Sequence, residues 1–223
     1  MSSWATHMLI GGVGGLALMQ AAPGIVPRGL VELAGGRPLV VELAVIGLSA
    51  VLATWPDIDE PGSWLSRRVA AVLTVLGFGL GCWLGLGGPY PGVSLTGPGL
   101  LVVSALAGTV VGALLAAVFL QGVRTAAGGH RRGTHSLVLA GVMGLAALGL
   151  RWFGLDMPAF VLLALVWGLC WHVVGDVVTP AGVPLLYPFS DRDVRLLPRP
   201  LARFGEPLIG LVTLAIGWVL VRW

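Results

Sequence analysis

From residue 100 to residue 120 the chain reads LLVVSALAGTVVGALLAAVFL, without one charged side chain. An apolar run of about 18 residues or more is long enough to cross the hydrocarbon of a bilayer as a helix, and it has no polar face to turn toward water. Seven apolar segments can be drawn along the chain, at about 5–23, 39–56, 69–88, 98–121, 136–153, 158–178 and 207–222. Turn-rich breaks such as PGIVPRG, GGPYPG and TGPG separate them. Only 10% of the residues are charged, against about a quarter in soluble domains. A soluble fold is excluded. The expected fold is all-α: a polytopic helical membrane protein of about seven transmembrane helices, one domain over residues 1–223. Residues 179–206 are expected to form an interfacial loop between the last two spans.

The beginning, MSSWATHML, has no Lys or Arg before its apolar run, and no clean small-x-small cleavage site follows. It is therefore expected to stay as a first span rather than leave as a signal peptide. Cys82 and Cys170 both lie inside apolar runs and read as small buried hydrophobes rather than a disulfide pair. The chain has thirteen Arg and no Lys, for a net charge of +3, without the clustered basic surface that nucleic acid requires. Many of the 35 glycines fall within the spans, where small residues let helices approach closely.

With seven spans, the N-terminus and the second, fourth and sixth loops share one side. That side holds Arg67, Arg68, Arg124, Arg131, Arg132, Arg192, Arg195, Arg199 and Arg203, nine of the thirteen arginines. Arg28, Arg37, Arg151 and Arg222 fall opposite. By the positive-inside rule the richer side is cytoplasmic.

The polar residues gather on that same side. His7 starts the first span, Asp57 and Asp59 in WPDIDEP follow the second, and His130 and His135 in HRRGTHS precede the fifth. His172 and Asp176 in HVVGD lie in the last turns of the sixth. Taken singly, most of these have an ordinary explanation. His7 alone is more often an interfacial histidine, Asp-x-Asp alone is a solvated turn, and Thr134 before an apolar run is a good helix cap. His172 and Asp176 are harder to dismiss, because four residues apart they share one helix face. Ionisable residues within a span cost a few kcal/mol to insert and are functional by default. All four histidines and three of the six aspartates collecting at one membrane face points to a single site.

Imidazole and carboxylate, without a cysteine pair, suit a divalent transition metal, Zn²⁺ first and Mn²⁺ or Fe²⁺ behind it. Seven candidates exceed the ligands of one four-coordinate ion. Either two ions bind, or some aspartates act as supporting groups and base. A metal with an open position supplies hydroxide near neutral pH, and Asp57, Asp59 or Glu60 is placed to take the proton. Arg131 and Arg132, between two histidines, are candidates for holding an anionic group, since the guanidinium fork matches phosphate. Anchoring at the membrane interface is an almost equally good account of them. The long loop mixes Leu185, Leu186, Tyr187 and Phe189 with Arg192, Arg195, Arg199 and Arg203, a composition suited to lying on anionic lipid head groups as a lid or ramp. Plain orientation signal is the simpler account of its charge.

ATHML, WPDIDEP, HRRGTHSL and HVVGDVVTPAGVPLLYPF, in that order and spacing, resemble the YdjM-like family of bacterial inner-membrane metal-dependent hydrolases, over residues 6 to about 190. That family looks distantly similar to the zinc-dependent phospholipase C and P1 nuclease group, helical proteins that hold zinc with His and Asp. The resemblance implies residence in the bacterial inner membrane and metal-dependent hydrolysis, favouring a phosphoester. It implies metal-site roles for His7, Asp57, Asp59, His130, His135, His172 and Asp176. Two departures stand out. Many members read His-Arg-Gly-x-Thr-His-Ser, whereas here Arg132 precedes Gly133, and Glu60 stands where some members have His.

The expected function is thus a membrane-embedded metal-dependent hydrolase working at the cytoplasmic leaflet on a phospholipid or another membrane-associated phosphoester. A peptide substrate is disfavoured by the absence of a His-Glu-x-x-His helix. One alternative is a divalent-cation transporter, since His-x-x-x-Asp on a span is similar to the metal site of cation diffusion facilitators. Transporter sites, however, sit near the bilayer midplane. Another is a membrane protein with a structural ion in a closed four-ligand site. A CDP-alcohol phosphotransferase would need an Asp-Gly-x-x-Ala-Arg run, which DIDEPGSW does not supply. The sequence leaves the oligomeric state open.

Overall fold

The computed structural model describes residues 3–88, 98–129 and 131–222. Every described apolar segment forms a helix, and among the described residues there is no strand, only an isolated antiparallel bridge between Val183 and Val194. The α-helices are α1 (Trp4–Ala21), α2 (Arg28–Leu33), α3 (Pro38–Leu52), α4 (Trp64–Gly85), α5 (Pro98–Ala126), α6 (Leu137–Trp152), α7 (Asp156–Asp176), α8 (Arg199–Ala202) and α9 (Gly205–Arg222).

Among the described residues, five stretches are long and apolar enough to cross a membrane: Pro38–Asp59, Trp64–Gly85, Gly99–Ala126, Asp156–Asp176 and Gly205–Arg222. Helix α6, at 16 residues, is shorter, and α1 falls outside the five. The count of seven crossings expected from the apolar runs therefore stands at five by length and composition. Helix boundaries also differ from the runs. Helix α4 starts five residues before its apolar run because the Ser63 side chain caps it, accepting the Ser66 backbone N–H at 3.1 Å. The caps and turns decide where a helix ends, and the lipid decides only where it is greasy.

The chain packs as two compact units, residues 1–57 with 129–223, and residues 58–128. The second is the α4–α5 pair. Gly77, Gly81 and Gly85 on α4 face Ser104, Gly108 and Gly112 on α5. A Cβ on Gly81 would run into the Ser104 carbonyl, and one on Gly108 into the Gly77 carbonyl. Four-residue spacing puts each trio on one face, the small-xxx-small device for close helix contact in lipid. Large side chains such as Val75, Leu76, Leu106 and Val110 point outward, more than half exposed, as lipid-facing residues do. Thr74 and Thr109 return their hydroxyl protons to carbonyls four residues back, at 2.8 Å each, so neither presents an open donor to hydrocarbon.

In the first unit, α1 lies against α3, α7 and α9, and α6 lies against α7. Gly11 and Gly15 of α1 fit against Ser49 of α3, whose hydroxyl donates to the Gly11 carbonyl at 2.6 Å. Gly14 takes the Trp171 indole of α7, and Gly168 of α7 takes the Leu52 carbonyl. These close approaches draw the first turns of α1, the end of α3 and the end of α7 together. Glu206 at the start of α9 holds α1 from outside, accepting from the Ser3 backbone N–H and the Thr6 hydroxyl at 2.7 Å each.

Candidate metal centre

Each side chain of the cluster is delivered by a helix end or a turn. His7 is in the first turn of α1, and Ser3 caps that helix by accepting the Thr6 N–H. Asp57 follows Trp55 in the turn after α3, and the Trp55 indole N–H donates to the Leu165 carbonyl at 2.8 Å, fixing the turn on α7. His135 ends the short turn Gly133–His135. His172 and Asp176 occupy the last turns of α7.

There they meet. His172 Nε2 lies 3.0 Å from His135 Nε2, 3.5 Å from Asp57 Oδ1 and 3.5 Å from Asp176 Oδ2. His135 Nε2 lies 3.5 Å from Asp57 Oδ1 and 3.6 Å from Asp176 Oδ2. His7 stacks on His172 with ring centroids 3.8 Å apart, and its Nε2 is 3.5 Å from Asp176 Oδ1. All three histidines and Asp176 are essentially inaccessible to solvent, while Asp57 is 13% exposed.

Proton placement defines what this cluster is. His172 Nδ1 is 2.8 Å from the carbonyl of Ala53, an acceptor only, so Nδ1 carries the proton and donates. In the neutral ring Nε2 then offers its lone pair to the cluster. Ala53 caps α3, where helix carbonyls lack intrahelical partners, so the bond also satisfies a helix end. His135 Nδ1 sits 3.0 Å from the Thr134 hydroxyl, a bond that orients its Nε2 the same way when Nδ1 donates. Burial pushes the His135 imidazole below its ordinary value of 6.5, against the opposing pull of the Asp57 carboxylate, and so favours the neutral ring. With both rings neutral, two imidazole lone pairs and two carboxylate oxygens converge within a few ångströms.

Four electron-rich atoms in a buried space repel one another unless a proton or a metal cation lies among them. Five separations among them run from 3.0 to 3.6 Å. An ion bonded to imidazole nitrogen and carboxylate oxygen at about 2.0–2.2 Å holds neighbouring ligand atoms at separations of about this size. Among the described residues, two three-residue groups could hold an ion, His7 with His172 and Asp176, and Asp57 with His135 and His172. The residues fit a metal.

Of the positions singled out in the sequence, the fold brings together His7, Asp57, His135, His172 and Asp176. Arg131 joins them, with Nη2 3.5 Å from Asp176 Oδ2 and the side chain 14% exposed. It adopts a left-handed backbone, φ 61°, which a non-glycine residue accepts only where its surroundings hold it. Arg132 turns outward, half exposed, 3.9 Å from Asp191 and over the Tyr187 ring. Arg131, Arg132, Asp191 and Asp193 line a cavity of about 290 Å³ beside the cluster. Asp59 and Glu60 belong to the second unit, where Asp59 is buried and lines a cavity with Ser66, Arg67 and Arg124. His130 lies outside the described residues.

Four contributors escaped the sequence reading. Gly175 carries no side chain where His7 packs, and a Cβ there would stand 2.9 Å from two His7 ring atoms. Ser136 donates to the Tyr187 carbonyl at 2.6 Å and caps α6 by accepting from Val138, tying the long loop to the turn that holds His135. The Ala53 carbonyl and Glu206 are the others. Only Gly175 left a legible signal, a glycine set between His172 and Asp176 in HVVGD.

The fold and the cluster define a class: a helical, multi-pass membrane protein with a buried His/Asp centre able to hold a metal ion. The chain belongs to the YdjM inner membrane protein family, whose description matches residues 1–222. A stretch of 64 residues, 27% of this chain, is 44% identical to Inner membrane protein YdjM of Escherichia coli (strain K12). The same identity and coverage hold for Inner membrane protein YdjM of Shigella flexneri. The aligned stretch spans 31% of the length of each of these relatives. No solved structure matches the chain.

Proposed function

We propose that this inner-membrane protein is a metal-dependent hydrolase acting on a phospholipid or another membrane-associated phosphoester, with Zn²⁺ held by His135, His172 and Asp176 and a fourth position left for water. One observation carries the reading: Arg131 belongs both to the buried cluster, through Asp176, and to the wall of the adjoining cavity. A substrate phosphate in that cavity meets Arg131 and Arg132 next to the cluster, and guanidinium binds phosphate oxygens in pairs. The chemistry supplied by a bound Zn²⁺ is Lewis acidity and a water acidified toward a pKa of about 7. The chain's own part is positional. The Ala53 and Thr134 contacts hold the two imidazoles in the lone-pair-forward orientation, and His7 and Arg131 hold the two oxygens of Asp176 from opposite ends. Asp57, the most accessible carboxylate of the set, takes the proton released by the attacking water. Likeness to the zinc-dependent phospholipase C and P1 nuclease group, and action at the cytoplasmic leaflet, are part of the same proposal.

The compact four-atom set favours one other reading. A closed tetrahedron of protein ligands is the mark of a structural ion, whereas a catalytic one keeps a position for water. Turnover separates the two. Purified protein in mixed phospholipid micelles is expected to release head group or diacylglycerol in a chelator-sensitive manner. Arg131→Gln is expected to slow release roughly a hundredfold, the scale of losing one preorganised charge contact in a transition state. Full metal occupancy with no release from any phospholipid leaves the structural ion as the better account.

A further inference from the structure

At the other end of α7, away from the His/Asp cluster, the first unit holds two cavities that share walls. The larger, about 560 Å³, opens among the turn Pro23–Ile25, the start of α2, and the junction of α6 with α7, with Arg28, Arg151 and Asp156 at its polar rim. The smaller, about 180 Å³, lies between α1, α3 and α7 and is almost wholly apolar, lined by Leu18, Val45, Leu48, Ala164 and Trp167. Ile25, Phe160 and Leu163 line both. The two adjoin at these three side chains, a cleft with a charged mouth beside an apolar recess.

Among the described residues, neither Arg28 nor Arg151 stands in an ion pair. Two cations at a membrane boundary with a greasy recess behind them match an amphiphile, anionic at one end. We infer that this cleft is a phospholipid site, with the lipid phosphate on Arg28 and Arg151 and one acyl chain running past Phe160 into the recess floored by Trp167. The larger volume, about 560 Å³, falls in the range of small-molecule sites, about 300–1,000 Å³. Exposed Trp152 and Phe153 beside Arg151, 87% and 78% accessible, supply the aromatic anchoring found at head-group level. An inorganic anion would use the mouth alone, and a neutral lipid would use the recess alone. The site is independent of the metal centre, since α7 places about 30 Å of helix between Asp156 and Asp176.

The test uses the full chain, purified in detergent and delipidated, then offered dioleoyl phosphatidylglycerol, dioleoylglycerol or inorganic phosphate, with retention read by native mass spectrometry. Phosphatidylglycerol is expected to stay bound while dioleoylglycerol and phosphate do not. Arg28→Gln with Arg151→Gln is expected to weaken retention at least roughly tenfold, for two lost charge-assisted contacts. Ala164→Phe, filling the recess without touching charge, is expected to weaken it as well, with circular dichroism confirming that both variants keep their helices. Equal retention of dioleoylglycerol, displacement of the lipid by phosphate alone, or unchanged retention in either variant would overturn the assignment.

Discussion

Gly175 shows how tightly single residues set the metal centre. It lies between the two α7 ligands, and its missing side chain is the space in which the His7 ring stacks on His172. A methyl group there would meet His7 Cε1 and Nδ1 at 2.9 Å, closer than carbon tolerates. Gly175→Ala is a favourable change for helix propensity, which offsets part of the cost of that contact, so metal affinity rather than stability is the specific readout. We expect a clear loss of metal affinity, on the order of ten- to a hundredfold, the usual effect of disturbing the groups that orient metal ligands. Competition with a chelator of known affinity reads it directly. The residues that could be found in the sequence are those whose chemistry is unusual in lipid: His172 and Asp176, four apart on one face, and His135 and Asp57 at span ends. Ala53 was invisible because it contributes a backbone carbonyl, and Glu206 because its partner, Thr6, is 200 residues away.

At the scale of elements, glycine spacing explains which helices pair. The trio on α4 and the trio on α5 leave no space for a side chain at their contact. Gly81→Val is expected to destabilise the pair by about 1–3 kcal/mol, the cost of overpacking a close contact. Leu106→Ala on the outward face is expected to do little, because its side chain is 62% exposed. Thermal unfolding in detergent compares the two, and equal effects would mean that the glycine face is not the contact. Helix existence was legible because apolar runs of this length leave a membrane protein no other solution. The ends were not. Ser63 moves the start of α4 outward, and α2 and α8 are too short to leave an apolar period of their own.

At the scale of the whole molecule, the long connection after α7 is part of the site's support rather than a free tail. Val183 is fully buried, the Leu185 carbonyl accepts from the Leu137 N–H at 2.9 Å, and Ser136 binds the Tyr187 carbonyl. Leu186 and Phe189, 58% and 83% exposed, remain outside as candidates to meet lipid. Ser136→Ala removes both a helix cap and a loop anchor, a loss of about 1 kcal/mol or more. Hydrogen exchange is expected to rise at residues 183–190 while α4 and α5 stay protected, and uniform exchange across the chain would refute the anchoring role. The loop's composition suits a place at the interface. Its attachment could not be read, because it runs through backbone carbonyls and one serine.

The proposed chemistry depends on a cation among His135, His172, Asp57 and Asp176. Elemental analysis of the purified protein, beside His172→Ala and Asp176→Ala, tests it most directly. The predicted result is stoichiometric zinc or another divalent transition metal in the natural protein and none in either variant, with all three inserting in the membrane alike. A natural protein free of metal after expression in metal-replete medium, or variants that keep their full metal content, would contradict it.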